Sequence, residues 1–490
     1  MTLAINTQND IKVQNAISML KKYYLNDKRS FCVAFSGGKD STAVLFLVMK
    51  MLEELIEENE LPTKTIYIIN SNTLAELPPI LKHLKQTLEK IEIYAKNNHL
   101  PIIVKEVFPE IKNTLNVQLL GVGMPPPSSS LRWCTDKLKV MPIDSTLKSI
   151  FTDGAFISVI GTRSDESTDR ANRMERATLK GTNLKLNNRY PKASNLMPIE
   201  DWSTKDVWEY LLKQNNDLVN IDFLWKLYSD ASNKDASECT FTGAGGKHIE
   251  EGKLGCGTSR FGCWQCYMVR DKDKSLDGLM QSGHKNIQLY KSYRDWFWER
   301  TQQGWEKTRD VYSHNHQMQN FYNKGGEENP KYGMTVPRGL TLKLRKEGFK
   351  KLLELQSKLD EIIITEAEII EIQKRWVLEG DLNLTAFKIA KEYNYSLKKS
   401  NLPKNIQNNI NKAKHFYKEC INKTQIKKNF SILTLQRFSI QNQINQKSIE
   451  KKFFPTKEEE LHIRQEWKNG YKSKQIKKFP LLQMLTNMSY

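Results

Sequence analysis

The chain has 490 residues, 39% hydrophobic and 27% charged, and its 75 Lys+Arg against 56 Asp+Glu give a formal net charge of +19. That length allows two or three domains, the apolar fraction suffices for real cores, and no apolar run approaches the length that a transmembrane helix needs. The N-terminal stretch carries no basic patch followed by an apolar region, so no secretory signal and no membrane partner are expected, and the chain reads as cytoplasmic.

Taken in order, FCVAF at 31–35 is a short apolar run ending at Ser-Gly-Gly, which predicts a buried strand entering a turn. Helical periodicity without breakers follows over 41–58. TIYII at 65–69 predicts a second strand, 79–98 a helix, PIIVKEV at 101–107 a third strand and AFISVIG at 155–161 a fourth. This alternation predicts right-handed βαβ units, hence an α/β fold built on a parallel sheet. The stretch 113–130, with GVGMPPPSSS, reads as a breaker-rich loop long enough to be a lid. Ser203-Thr204-Lys205-Asp206 has the capping-box pattern and opens a helix over 203–213. From 232 to 267 the chain turns rich in glycine and cysteine. Beyond 330 the pattern is polar and mostly helical, with segments at 341–360 and 364–378, and 391–450 is rich in Asn, Gln and Lys, a composition that fits helix or partial disorder.

The charge is unevenly spread. Residues 331–490 hold 32 Lys+Arg and 16 Asp+Glu, whereas residues 1–330 hold 43 and 40. A DNA partner and a set of solvated lysine-rich helical faces both account for that C-terminal surplus.

Ser36-Gly37-Gly38-Lys39-Asp40-Ser41 follows a strand and opens a helix. Backbone N–H groups and the dipole at a helix N-terminus suit a phosphate, and glycines allow its close approach. Lys39 adds a point charge, and Ser36 and Ser41 add hydroxyls. Arg163, Arg170, Arg173 and Arg176 recur at short steps, and the last three share one side if 165–178 is helical. Their guanidinium groups suit phosphate oxygens, or pair with Asp165, Glu166, Asp169 and Glu175 on a solvated face.

Seven cysteines in such a chain argue against a disulfide framework. Cys134 is flanked by Arg132, Lys137 and Lys139, a setting expected to favour the thiolate. Cys239, Cys256, Cys263 and Cys266 fall within 28 residues as C-x16-C-x6-C-x2-C. Four thiolates suit an iron–sulfur cluster or a structural Zn²⁺. Trp296-Phe297-Trp298 beside Arg294 and Arg300 fits either base stacking or a core.

The hexapeptide at 36–41 resembles the pyrophosphate loop of the ATP-pyrophosphatase family. Three further stretches resemble its phosphoadenosine-phosphosulfate reductase branch: Arg132-Trp133-Cys134-Thr135 with Lys137, Lys139 and Pro142; Gly161-Thr162-Arg163-Ser164-Asp165-Glu166-Ser167 with Arg170; and Met197-Pro198-Ile199 with Asp201-Trp202-Ser203 and Asp206-Val207-Trp208. Where that branch commonly has Asp-Thr-Gly after the second strand, this chain has Asn72-Thr73-Leu74. The run from Cys256 to Cys266, CGTSRFGCWQC, resembles the cluster region of the DndC family, the ATP-pyrophosphatase-like components of bacterial DNA phosphorothioation.

The resemblance implies an adenine-nucleotide-hydrolase-like nucleotide-binding domain over 1–230, a cysteine-rich cluster region over 231–330 and a basic, mainly helical region over 331–490. It implies ATP and Mg²⁺ at the loop, with Lys39, Cys134, Arg163 and Arg170 in catalysis. It also implies a [4Fe–4S] cluster on Cys239, Cys256, Cys263 and Cys266, with Zn²⁺ as the alternative. The activity expected is adenylation of a DNA backbone phosphate and replacement of a non-bridging oxygen by sulfur. A cysteine desulfurase would supply that sulfur, and further phosphorothioation subunits, one of them of ATPase type, would be partners. Reduction of adenylyl sulfate or its phosphorylated form, tRNA thiolation, and a non-catalytic ATP-gated DNA-binding scaffold are the other readings.

Overall fold

The computed structural model describes residues 8–128, 131–166, 172, 174–214, 217–231, 262–267, 274–281, 283–311, 337–422, 431–444 and 457–469. The chain divides into two compact units, one formed by 1–109 and 134–288, the other by 110–133 and 289–490. This differs from the three-part division expected from sequence. The C-x-x-C segment belongs to the first unit, and 110–133 is an excursion into the second.

The first unit is built on a six-stranded sheet of order β3-β2-β1-β4-β6-β5. Its strands are β1 (Phe31–Ala34), β2 (Ile66–Ser71), β3 (Ile102–Val107), β4 (Ile157–Val159), β5 (Leu184–Leu186) and β6 (Ser194–Leu196). All pairings are parallel except β5 with β6. The expected α/β fold is therefore observed, with an antiparallel edge added. Around the sheet stand α1 (Gln8–Asn26), α2 (Lys39–Glu57), α3 (Pro78–Asn97), α4 (Met141–Ile150), α5 (Thr204–Leu212), α6 (Ile221–Ala231) and α7 (Lys274–Gln281).

Period-2 alternation sorts the strand side chains onto two faces. Phe31, Val33, Ile66, Ile68, Ile157 and Val159 join the core beneath α1, α2, α3 and α5. Cys32, Ile69 and Val107 face the other way, packing with Leu147 of α4 and with Phe151 and Phe156. Each fully buried Val, Ile, Leu or Phe contributes about 1.5–3 kcal/mol relative to exposure. At the start of α5 the expected capping box is present: the Asp206 N–H donates to Ser203 Oγ at 3.1 Å and the Ser203 N–H to Asp206 Oδ2 at 2.7 Å.

The second unit is helical, with α8 (Ile287–Thr301), α9 (Leu342–Gln356), α10 (Glu366–Leu378), α11 (Thr385–Lys391), α12 (Lys404–Ile421), α13 (Ile432–Ile444) and α14 (Lys457–Asn469). The stretch read as a lid is instead core over Val117–Val122, a π-helical turn in which Val117, Leu119 and Leu120 are fully buried. Its apolar V-x-L-L pattern outweighs the breakers that follow it. The Trp376 indole N–H donates to Leu120 O at 2.7 Å. Arg345, paired with Glu379, donates to Gly121 O at 2.6 Å. Arg437 grips Asp310 with two donors at 2.6 and 3.2 Å, in a buried ionic core. Burial alone would raise the Asp310 carboxyl, but the Arg437 charge and hydrogen bonds hold it below the usual range. Phe297 is fully buried and stacks on Tyr293 at 6.0 Å, so this residue of the Trp-Phe-Trp run serves a core. Among the described residues, no helix is long and apolar enough to cross a membrane.

Candidate functional site

The strand order reverses at β1, whose neighbours β2 and β4 lead away in opposite directions, and ligands of open α/β sheets bind at such a switch point, beyond the carboxyl ends of the strands. Phe35–Gly38 leaves β1 there. Gly37 takes φ +72°, a left-handed conformation that favours glycine, and a Cβ on it would stand 2.9 Å from Leu84 Cδ1, which would have to shift. Gly38 caps α2 without a side-chain acceptor. The loop is braced from within: the Ser36 N–H donates to Ser41 Oγ at 3.2 Å, the two hydroxyls lie 3.0 Å apart, and Ser41 Oγ donates to Gly38 O at 3.0 Å.

The loop after β4 closes against the same turn. A Cβ on Gly161 would meet Asp40 O at 2.7 Å, which places the two backbones in direct contact. Two residues on, Arg163 is 2% exposed. It donates from Nε to Asp40 Oδ1 at 2.7 Å, from its terminal nitrogens to Asp165 Oδ2 at 3.2 Å and to Trp202 O and Thr204 Oγ1 at 3.1 Å each. Ser164 Oγ donates to Glu200 O at 2.6 Å. Arg163 thus ties together three of the stretches singled out in the sequence. The other oxygen of Asp40 receives Lys39 Nζ at 2.6 Å, and that ammonium also lies 5.4 Å from the centroid of the Tyr228 ring.

Tyr228, from α6, carries no signal in the sequence; only the fold brings it to this place. Its hydroxyl would lie 3.2 Å from a Cβ on Gly38 and accepts the Lys39 backbone N–H. Burial, with the charge of Asp40, pushes the phenol up to about 12, so at neutral pH it is an uncharged hydroxyl on an amide that a phosphate oxygen would use. On α3, His83 is 8% exposed, and its ring lies 4.8 Å from that of Phe223 at a tilt of 34°. Burial, then Lys90, lowers its pKa to about 4.

The thiols gather at the end of the adjacent strand. After β2, Asn72 donates to Glu106 Oε1 at 2.8 Å and accepts the Leu74 N–H at 2.9 Å. This turn holds Leu74 at φ +61°, where the reductase-branch pattern has glycine. Thr73 Oγ1 donates to Glu76 Oε1 at 2.6 Å and lies 3.3 Å from Cys263 Sγ. The C-x-x-C segment pairs with this loop through an antiparallel bridge between Glu76 and Cys263, and the Trp264 N–H donates to Ala75 O at 2.8 Å. Cys266 lies within electrostatic reach of both Cys263 and Cys134. Burial, then Glu76, pushes the Cys263 thiol up to about 12, against the pull of Thr73 and Lys139. Cys134 was expected as a thiolate. Burial and Cys266 push it the other way, and the hydrogen bonds around Thr135 only partly offset them.

Among the described residues, no group of three or more His, Cys, Asp or Glu side chains is arranged to hold a metal ion. Cys239, Cys256, Arg170 and Arg173 lie outside the described residues. The donors within them, Cys263 and Cys266, are soft and suited to iron or zinc, but they do not by themselves complete a site.

Residues 30–267 match the family model of the phosphoadenosine phosphosulfate reductase domain. Two uncharacterised proteins of Methanocaldococcus jannaschii are similar in sequence. One is 29% identical over 203 residues, 41% of this chain and 35% of the relative; the other is 26% identical over 202 residues, 40% of each. The match thus spans well under half the length of those curated relatives. Among solved structures, the phosphoadenylyl-sulfate reductase of Candida auris in a phosphate complex is 14% identical, covering 44% of this chain and 88% of that one at a TM-score of 0.27. The tRNA thiolase of Methanococcus maripaludis with its [4Fe–4S] cluster is 14% identical, covering 46% and 73% at 0.27. The FMN adenylyltransferase of Candida glabrata with FAD and pyrophosphate is 18% identical, covering 45% and 64% at 0.28. Residues 30–267 are thus similar to the phosphoadenosine phosphosulfate reductase domain.

Proposed function

We propose that the chain is an ATP pyrophosphatase of DNA sulfur modification, which activates a backbone phosphate and replaces one of its non-bridging oxygens with sulfur. The observation that carries this reading is the arrangement at the carboxyl ends of β1 and β2, with a phosphate loop on one strand and Cys263, Cys266 and Cys134 at the next. The choice of DNA rests on the resemblance of the Cys256–Cys266 run and on the basic C-terminal surplus.

In the proposed reaction a phosphate oxygen attacks the α-phosphorus of ATP and pyrophosphate leaves. The loop amides, with Lys39, would hold the departing charge, and Mg²⁺ on the phosphates would share it. Arg163 and Asp40 position that lysine and the first turn of α2. The terminal sulfur of a desulfurase-derived persulfide then attacks the adenylated phosphorus, and AMP departs with the oxygen. A second thiol attacks the sulfur–sulfur bond, which leaves sulfur on phosphorus and a disulfide between the two thiols. An external dithiol returns these to the reduced state. A [4Fe–4S] cluster, or Zn²⁺, on the cysteine set would supply thiolate stabilisation, and no step here is routed through it.

The test is product analysis with the anaerobically purified chain, duplex DNA and a persulfide donor. AMP and pyrophosphate that form only when DNA is present support the reading; ADP and phosphate, or no turnover, contradict it. The match to the reductase domain favours a second reading, reduction of a sulfonucleotide. Release of sulfite from either sulfonucleotide with a dithiol donor would establish that reading instead.

A further inference from the structure

The region 385–422 holds eight lysines against two glutamates. The fold brings four of them, Lys388, Lys399, Lys414 and Lys418, close together in the second unit. Leu402, just before α12, and Ile406, Ile410 and Ala413 within it are buried, so one stripe of the helix is anchored in the unit's own core. That turns Lys404, Asn405, Asn408, Asn411 and Lys412 outward, with Lys414 and Lys418 beside them. Lys388 of α11 and Lys399 of the turn before α12 join them. Lys388, Lys399 and Lys418 all stand within electrostatic reach of Lys414.

Two of the opposing acids, Asp381 and Glu392, are already engaged. Asp381 is taken by Lys346 at 2.9 Å, by Gln373 at 3.0 Å and by Thr385, and Glu392 by Lys350 at 2.8 Å. Lys399 donates to Asn411, and burial together with its three lysine neighbours lowers the pKa of Lys414. Clustered like charges cost free energy in the absence of an anion, and an anion would return it.

We infer that this lysine and asparagine face is a docking surface for the phosphate backbone of double-stranded nucleic acid. A duplex offers about one negative charge per 1.7 Å of axis, which suits ammonium groups spread over several turns and elements. Asparagine side chains serve phosphate and sugar oxygens. Of the described apolar side chains of α12, Ile406, Ile410 and Ala413 are buried and Phe416 and Tyr417 half-buried, which offers little to insert into an anionic membrane. This inference rests on charge geometry in the second unit and does not require the sulfur chemistry proposed above.

The experiment uses the full chain and a fluorescent duplex, with anisotropy read across salt from about 50 to 200 mM, where backbone contacts show as a slope of about −0.9 per phosphate. In the variant Lys388→Gln, Lys399→Gln, Lys414→Gln, Lys418→Gln the slope should become shallower by about 3 to 4 and binding weaken at least about tenfold. The matching Lys→Arg variant should restore both, which separates lost charge from lost folding. AMP and pyrophosphate formation, read separately, reports on the proposed chemistry and not on this surface. A glutamine variant with wild-type slope and affinity, a wild-type chain that does not bind the duplex, or a loss confined to phosphatidylserine vesicles would each overturn the inference.

Discussion

Arg163 Nε and Asp40 Oδ1 stand 2.7 Å apart although 123 positions separate them in the chain. The pair fastens the loop after β4 to the first turn of α2, and so fixes how the phosphate loop is presented. Removing one partner of a buried ion pair leaves the other charge uncompensated, at a cost of about 3–5 kcal/mol. Arg163→Met should therefore lose about 3 kcal/mol in urea unfolding. Asp40→Asn should lose at least as much, because it leaves the more buried charge, Arg163 at 2% exposed, whereas Arg163→Met leaves Asp40, 17% exposed, with Lys39 still paired to it. An Arg163→Met midpoint equal to wild type would show that the pair does not hold the loop.

Tyr228 makes a second prediction. Its hydroxyl accepts the Lys39 amide, so a triphosphate that used this amide would displace it. One hydrogen bond contributes about 0.5–1.5 kcal/mol net. Tyr228→Phe should accordingly bind ATP about 2- to 12-fold more tightly by titration calorimetry. Weaker binding by the variant would make the hydroxyl a ligand of ATP rather than its competitor.

Leu74 at φ +61° is 45% exposed, so it pays left-handed strain with little burial in return. Leu74→Gly should relieve about 1–2 kcal/mol of strain and give back about 0.5–1 in chain entropy. A melting temperature raised by a few degrees is the expected readout, and a lowered one would mean that Leu74 packs on something essential.

His83 gives a pH prediction. Its folded pKa, lowered to about 4, lies below its ordinary value of 6.5. The neutral ring is therefore favoured in the fold. Its stabilisation is fully present above pH 6.5 and is lost as the pH falls toward 4, by at most about 3 kcal/mol. Urea midpoints of His83→Leu should fall less steeply than wild type across that window. Parallel acid slopes for the two proteins would refute this assignment.

Much of the first unit was legible in the sequence because its signals are local. The apolar run Phe31–Phe35, the Ser36–Ser41 hexapeptide and the Ser203–Asp206 cap each lie within a few residues. Position alone did not show which group meets which. Arg163 carries a phosphate-binding guanidinium in the sequence, but the fold spends four of its hydrogen bonds on Asp40, Asp165, Trp202 and Thr204. The flanking lysines of Cys134 predicted a thiolate, and burial reversed the sign. The breakers at 121–127 hid a core segment, since periodicity over Val117–Val122 is too short to separate a buried turn from a loop. Glu76 and Tyr228 had no local signal at all.

In the proposed function this chain places sulfur on DNA by way of the phosphate loop and the thiols at the neighbouring strand. Mass spectrometry of nuclease-digested DNA, from cells carrying wild type, Ser36→Ala or Cys263→Ala, tests it most directly. Phosphorothioate-linked dinucleotides present with wild type and lost with both variants are the predicted result. Equal phosphorothioate in all three, or none with wild type and its partner subunits present, would contradict it.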